Sequence, residues 1–235
     1  MSFPPDPVSL VPDRFSGAVT QPQTGRDPRR AYRVVDDFEA ELADYTGAPY
    51  AVTVDSCTNA IYAMLTFERV TYGYESVGIP TRTYVGVLQA ATNAGYDVEF
   101  WEEDWQRFRD PWYCFTGYGF VVDSARYLAR DMYAPARGAF VCLSFHAAKQ
   151  LPLGRGGAVL TDDQRAAEWL MRFRTDGRAP GDPHPYATFP AAHIYMPPDT
   201  AARGLWILSR WNDAGYSPPP LPREDYPDLS KLRLP

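Results

Sequence analysis

The chain has 235 residues, of which 45% are hydrophobic and 22% are charged, and its net charge is −6 at pH 7. This composition predicts one globular unit with a substantial core, and the acidic balance disfavours sequence-independent binding of nucleic acid. The sequence has no apolar run of about 18 residues, so no membrane-spanning helix is expected.

The amino terminus and the cysteines indicate the compartment. Residues 1–7 lack the basic and apolar regions of a secretory signal peptide. Cys57, Cys114 and Cys142 are odd in number and scattered, which favours reduced thiols and a cytoplasmic protein. These cysteines and the three histidines do not have metal-ligand spacing, so no metal site is predicted.

The first half of the chain predicts an arm followed by alternating helices and strands. Residues 1–30 are rich in Pro, Gly, Asp and Gln and predict an extended arm, placed on a partner subunit. Apolar residues then repeat at helical spacing from Val34 to Tyr45, before Gly47. The pattern continues as a strand at 51–54, a turn at 55–59, a helix at 60–67, a strand at 76–79, a helix at 84–94 and a strand at 97–101.

The second half continues the alternation. It predicts strands at 119–122, 139–143 and 157–160, a helix capped by Asp162 and Asp163, and a helix at 200–211. We therefore divide the chain into an arm (1–30), a large domain (31–213) and a Pro-rich irregular tail (214–235).

Strands that alternate with helices predict an α/β fold with a mostly parallel sheet covered on both faces. In such a sheet the ligand binds beyond the carboxyl ends of the strands. Polar residues fall at three of these ends: Ser56 with Thr58, Asp123, and Ser144 with Lys149.

Lys149 is one of only two lysines among the 23 cationic residues. Lysine, unlike arginine, can lose its proton, and its neutral amine attacks aldehydes. An apolar run precedes Lys149 and a Gly-rich turn follows it, which predicts a partly buried amine. The alternative is an arginine-biased composition with one leftover surface lysine, and this segment alone does not decide between the two.

The polar residues at the strand ends match what pyridoxal phosphate requires. The cofactor needs a lysine for its aldehyde, a carboxylate for its ring nitrogen and, at a helix N-terminus, hydrogen-bond donors for its phosphate. An aromatic ring stacked on the pyridine stabilises it further. The sequence offers Lys149, Asp123, Ser56, Cys57, Thr58, Ser144 and Tyr84 for these positions.

Several motifs together resemble the DegT/DnrJ/EryC1/StrS aminotransferases, which are fold-type-I pyridoxal phosphate enzymes. Ser144-Phe-His-Ala-Ala-Lys149 with Gly154-Arg-Gly-Gly157 is similar to the Schiff-base motif and is the most specific piece. The other matching motifs are Val54-Asp-Ser-Cys-Thr-Asn-Ala60, Ile79-Pro-Thr-Arg-Thr-Tyr84, Val122-Asp-Ser-Ala125, Arg172-Phe-Arg-Thr-Asp-Gly177 and Ala201-Ala-Arg-Gly204.

The resemblance implies a role for each residue and a three-layer large domain of fold type I. Lys149 would form the Schiff base and move the proton at Cα, and Asp123 would hold the pyridinium. Thr58 and Ser144 would bind phosphate, helped by Ser56 or the Cys57 amide, while Tyr84 would stack on the ring. It also implies a homodimer with sites at the subunit interface.

The sequence departs from the family pattern at four points. Cys57 replaces the phosphate-loop glycine and is expected to crowd the phosphate unless its amide still points inward. Arg126 replaces a Gln or His on the O3′ side of the cofactor, and His193 replaces an Asn that crosses to the partner's phosphate. The sequence also ends before the family's small C-terminal domain, so we expect an open site or a cover from the arm or another protein.

The leading hypothesis is an aminotransferase that moves an amino group from an amino acid to a carbonyl acceptor, by family analogy a keto-sugar nucleotide. A second hypothesis is a decarboxylase or lyase acting on an amino-acid adduct of a nucleotide or modified DNA base. The third is a non-catalytic protein that keeps the fold and binds cofactor or a partner.

Overall fold

The computed structural model describes residues 28–102, 113–114, 120–178, 191–222 and 224–232. Its helices are α1 (Pro28–Thr46), α2 (Cys57–Tyr72), α3 (Val85–Asn93), α4 (Gln164–Phe173) and α5 (Pro198–Ala214). Its strands are β1 (Tyr50–Val54), β2 (Ser76–Pro80), β3 (Asp97–Trp101), β4 (Tyr113–Cys114), β5 (Val121–Asp123), β6 (Phe140–Ser144) and β7 (Gly157–Thr161). The predicted N-terminal arm lies outside the described residues as far as residue 27.

The strands form one five-stranded sheet, in the order β1-β7-β6-β5-β4, and one two-stranded sheet of β2 and β3. Strands β5 and β6 are parallel, as are β2 and β3, whereas β7 is antiparallel to both of its neighbours and β4 is antiparallel to β5. Because β1, β5 and β6 therefore run in the same direction, their carboxyl ends meet at one edge of the sheet.

Alternate residues of the sheet strands enter two different cores. Val52, Val121 and Cys142 pack with α2, α3 and α4, whereas Val141 and Leu160 pack with α1 and α5 on the other face. This period of two is what a sheet buried on both faces requires. The result is the three-layer α/β arrangement that the sequence predicts.

A buried polar network closes the outer edge of β1. The Thr53 N–H and hydroxyl donate to Glu39 Oε1 at 2.7 Å each, and Arg174 Nη1 donates to the Thr53 carbonyl at 2.6 Å. Arg174 also forms an ion pair with Glu39. The backbone groups that an edge strand exposes are thus satisfied by side chains.

Two details correct the sequence prediction. Helix α2 begins at Cys57, within the predicted turn 55–59, because Ser56 caps it and accepts the Asn59 N–H at 3.2 Å. The antiparallel direction of β7 is also new: residues 145–156 return the chain as a short connection, with no crossover helix between β6 and β7.

No helix in the described ranges is long and apolar enough to cross a membrane. Among the same residues, no three His, Cys, Asp or Glu side chains are grouped so that they could hold a metal ion.

Candidate active site

A cavity of about 440 Å³ opens at the edge where β1, β5 and β6 end. The sequence-predicted residues that line it are Ser56, Cys57, Thr58, Tyr84, Asp123, Arg126, Ser144 and Lys149. Residues from four separate segments therefore meet at one place, which is the position that open α/β sheets give to a ligand.

The start of α2 builds one end of the cavity. The Ser56 hydroxyl donates to Asp55 at 3.1 Å and accepts from Asn59 N–H, so it fixes the loop. The first amides of a helix have no partner within the helix and attract anions. This end therefore offers an anion site whose loop is held by Ser56.

Gly86 lets Thr58 and Tyr84 approach each other. A Cβ added at Gly86 would lie 2.8 Å from the Thr58 hydroxyl oxygen and 2.5 Å from the Tyr84 ring. Tyr84 is exposed and ends the loop before α3 as its N-cap. Thr58 and Tyr84 thus pack directly against Gly86, and any larger residue at position 86 would displace one of them from the cavity.

Asp123 lines the cavity and is only 8% exposed. Its Oδ1 accepts the Ala125 N–H at 2.8 Å. Burial, and then the negative charge of Asp123, raises the pKa of Cys57 well above its usual value, while Lys149 opposes this rise. A carboxylate and an amine at the same cavity suit a cofactor that needs one on its ring nitrogen and the other on its aldehyde.

The side chain of Cys57 is directed into the core. Cys57 is buried with the residues of the α2 face, and its thiol donates to the Cys142 carbonyl at 3.6 Å. The thiol therefore occupies core volume, which argues against the crowding of a bound phosphate that was expected of Cys57 unless its amide points inward. This removes one of the grounds for the non-catalytic alternative.

Lys149 lies in the loop between β6 and β7, and a backbone hydrogen bond joins the two ends of this loop. Phe145 N–H donates to the Gly156 carbonyl at 2.9 Å, and Lys149 N–H donates to the His146 carbonyl at 2.8 Å. Lys149 is partly buried, as predicted. Arg155 from the same loop forms a 2.7 Å ion pair with Asp55, which joins the loop of Lys149 to the loop before α2.

Arg126 lines the cavity but is engaged by the segment after α5. Its Nη1 lies 2.7 Å from Glu224 Oε2, and its Nη2 donates to the Pro222 carbonyl. The sequence predicted a cation facing the cofactor. The structure instead pairs that cation with a carboxylate.

His193 does not line this cavity. Its Nδ1 lies 2.8 Å from Asp176 Oδ2, and its side chain is 62% exposed. The ring also contacts Tyr195 edge-on, at 4.8 Å between ring centres. Within a single chain, His193 is therefore a surface residue.

Sequence reasoning missed the cavity residues Glu224, Tyr226, Thr83 and Arg155. Thr83 and Arg155 lie inside motifs that had been recognised, so each could have been included. Glu224 and Tyr226 follow a Pro-rich stretch without periodicity, and no pattern in the sequence connects them to the cavity.

The fold occurs in solved structures. 3-Amino-5-hydroxybenzoic acid synthase matches with a TM-score of 0.61 and 19% identity, over 77% of this chain and 56% of that one. DesV from S. venezuelae matches at 0.59 and 20%, over 77% and 57%. The PLP form of a putative sugar aminotransferase from Streptococcus pneumoniae matches at 0.56 and 18%, over 77% and 60%.

These likenesses show that the fold is that of the fold-type-I aminotransferases. The chain spans less than two thirds of the length of each of these structures. No curated protein matches it in sequence. The sequence pattern of the DegT/DnrJ/EryC1/StrS aminotransferase family matches residues 14–109 and 127–211. The chain belongs to the DegT/DnrJ/EryC1/StrS aminotransferase family.

Proposed function

We propose that the protein is a pyridoxal-phosphate-dependent aminotransferase that moves an amino group from an amino acid to a carbonyl acceptor. The observation that carries the proposal is that Lys149 and Asp123 line one cavity together with the start of α2. The cavity of about 440 Å³, lined by hydroxyl groups at the start of α2 and by the Tyr84 ring, fits a planar ring with a phosphate at one end. The chemistry that the bound cofactor supplies is an electron sink for the substrate carbanion.

The residues of the chain have separate tasks in this proposal. Lys149 would hold the cofactor through its amine and then move the proton at the substrate Cα. Asp123 would keep the ring nitrogen protonated, and its near-complete burial strengthens that interaction. Thr58, Ser144 and the first amides of α2 would bind the phosphate, while Tyr84 would cover one face of the ring.

The assembly and the acceptor are part of the same proposal. We infer a cytoplasmic homodimer in which His193, exposed on the surface of one chain, reaches the phosphate of the partner's site. The large domain would be residues 31–213. Sugar aminotransferases among the similar structures support a keto-sugar nucleotide as the acceptor.

Covalent trapping tests the proposal. Purified protein incubated with pyridoxal phosphate should develop a visible absorbance band, because the aldehyde of the cofactor reacts with a lysine amine of the protein. Borohydride reduction should then fix the cofactor, and peptide mass spectrometry should find it on Lys149. Addition of an amino donor before reduction should remove the band and prevent labelling, because the amino group then resides on the cofactor.

The chain offers a matched control, because Lys231 is its only other lysine. Lys231 is 77% exposed and paired with Asp228. Lys149→Ala should abolish both the band and the label, whereas Lys231→Ala should keep them. Label on Lys231, or no band in the wild-type protein, would sink the proposed function.

A further inference from the structure

The segment after α5, residues 216–222 and 224–232, is here called the strap. It is fixed at its start near the lysine loop. The Tyr45 hydroxyl donates to the Tyr216 carbonyl at 2.9 Å. The side-chain amide of Gln150, the residue after Lys149, donates to the Pro219 carbonyl at 2.8 Å.

The strap is fixed again at its far end, against the loop that carries Tyr84. Leu229 is 1% exposed and belongs to the core on the α2 face. Its N–H donates to the Thr81 carbonyl at 2.8 Å, and Arg82 Nη1 donates to the Tyr226 carbonyl at 3.3 Å. Because the strap is held at both ends, its residues between these two anchors form part of the cavity wall.

Glu224 and Tyr226 are the strap residues that line the cavity. Two groups orient the Glu224 carboxylate: Arg126 forms an ion pair with it, with Nη1 at 2.7 Å, and the Tyr226 hydroxyl donates a hydrogen bond to it. The Glu224 side chain is 44% exposed, whereas that of Arg126 is 10% exposed. Both side chains line the cavity, and the carboxylate is the more accessible group of the pair.

The surroundings keep Glu224 ionised and Tyr226 protonated. Burial alone would raise the pKa of Glu224, but the hydrogen bond from Tyr226 and the positive charges of Lys149 and Arg126 lower it. Burial, followed by the hydrogen bond to Glu224, raises the pKa of Tyr226. An ionised carboxylate only accepts hydrogen bonds and repels other anions.

We propose that Glu224 is a specificity-determining residue: it accepts hydrogen bonds from ammonium, amide or hydroxyl groups of the substrate and rejects a carboxylate at that place. This inference rests on the proposed function, since it assigns a selectivity to the cavity wall that the amino substrate would meet. Arg126 does not serve as a carboxylate receptor, because its Nη1 is held by Glu224 and its Nη2 by Pro222. Discrimination arises from like-charge repulsion against the wrong substrate as well as attraction of the right one.

The test uses three amino acids that differ at the distal group: L-lysine (ammonium), L-glutamine (amide) and L-glutamate (carboxylate). The rate at which each removes the visible band of the cofactor-loaded protein gives kcat/KM for the half-reaction. In the wild type we expect L-lysine and L-glutamine to be preferred over L-glutamate. In Glu224→Gln that preference should fall by about tenfold, the factor that 1.4 kcal/mol produces.

Asp225→Asn is the matched control. Asp225 is the exposed neighbour of Glu224 in the strap and does not line the cavity. Asp225→Asn removes one negative charge, as Glu224→Gln does, but outside the cavity, so the substrate preference of the wild type should persist. Tyr226→Phe removes the hydrogen bond to Glu224 but keeps its ion pair with Arg126, and it should weaken the preference less than Glu224→Gln does.

Calorimetric titration of the same amino acids into the protein without pyridoxal phosphate measures binding without turnover. It separates this proposal from the proposed function, since failure of the wild-type protein to form a visible band with pyridoxal phosphate sinks only the latter. Equal affinities for the three amino acids in the wild type, no binding of any of them, or an unchanged preference in Glu224→Gln would each overturn the role of Glu224.

Discussion

At the scale of single residues, Glu68 is a carboxylate in the core that the proposed reaction does not use. It is 1% exposed and accepts the Phe120 N–H at 2.7 Å. Burial raises its pKa from 4.5 to about 7, although the hydrogen bond from Phe120 opposes this rise. The folded state therefore holds a proton that the unfolded state releases between these values.

The sign of the resulting pH dependence follows from linkage. Below pH 4.5 Glu68 is protonated in both the folded and the unfolded state, so its ionisation does not change the free energy of unfolding. As the pH rises toward 7, Glu68 ionises only in the unfolded state, and the folded protein loses stability. Glu68→Gln removes this loss and can still accept from Phe120. Relative to the wild type, we expect the variant to gain about 2 kcal/mol in unfolding free energy between pH 5 and pH 8.

Urea denaturation at pH 5 and pH 8 measures the Glu68 effect. Glu99 is exposed on β3, so Glu99→Gln should show the same difference from wild type at both pH values. A Glu68→Gln difference that is equally independent of pH would contradict the argument.

Residues also show what a sequence reveals about a site. Lys149 and Asp123 could be found because each lies at a predicted strand end, where chemistry limits the choice of residue type. Glu224 could not be found, because its place depends on distant anchors such as Gln150 and Thr81. The sequence pointed to Arg126 but not to its partner Glu224. The predicted orientation of Arg126 therefore did not take into account the carboxylate with which it pairs.

At the scale of elements, Gly157 sets how closely β7 approaches the start of α2. A Cβ at Gly157 would lie 2.5 Å from Cys57 N and 2.7 Å from Ser56 O. These are backbone atoms of the loop that would hold the phosphate, so a methyl group must displace the loop itself. We expect Gly157→Ala to weaken pyridoxal phosphate binding at least about tenfold and to destabilise the fold by about 1–3 kcal/mol.

Gly204→Ala is the control for Gly157→Ala. Its Cβ would lie 2.5 Å from the Phe38 ring, between α5 and α1 on the opposite face of the sheet. Both changes overpack a buried glycine, but only one displaces the phosphate loop. Spectroscopic titration with pyridoxal phosphate should therefore show weaker binding in Gly157→Ala alone. Equal losses in both variants would indicate general destabilisation.

The elements themselves were largely predictable, because apolar periodicity and caps are local signals. Val34, Phe38 and Leu42 marked α1, and Asp163 caps α4 by accepting the Arg165 and Ala166 N–H groups. The direction of β7 was not predictable in the same way. Strand direction depends on the path of the loop that carries Lys149, and that path is fixed by contacts such as Phe145 with Gly156.

At the scale of the whole molecule, the cavity is the place where separate parts of the chain meet. The loop before α2, the end of β5, the lysine loop and the strap each contribute lining residues. They are joined by ion pairs that bridge distant segments, Arg155 with Asp55 and Arg126 with Glu224. A ligand that contacts all four parts therefore requires the folded state, since the unfolded chain does not bring them together.

This dependence predicts that pyridoxal phosphate raises the thermal unfolding temperature, and that the rise grows with the logarithm of its free concentration above Kd. A ligand that binds only the folded state contributes about 2.7 kcal/mol when its free concentration is 100 times Kd. Differential scanning calorimetry over a series of cofactor concentrations should show a rising transition in the wild type and in Lys231→Ala. Lys149→Ala should need more cofactor for the same rise, because only the phosphate and ring contacts remain to it. If pyridoxal phosphate leaves the wild-type transition unchanged, the four parts do not form a common binding site.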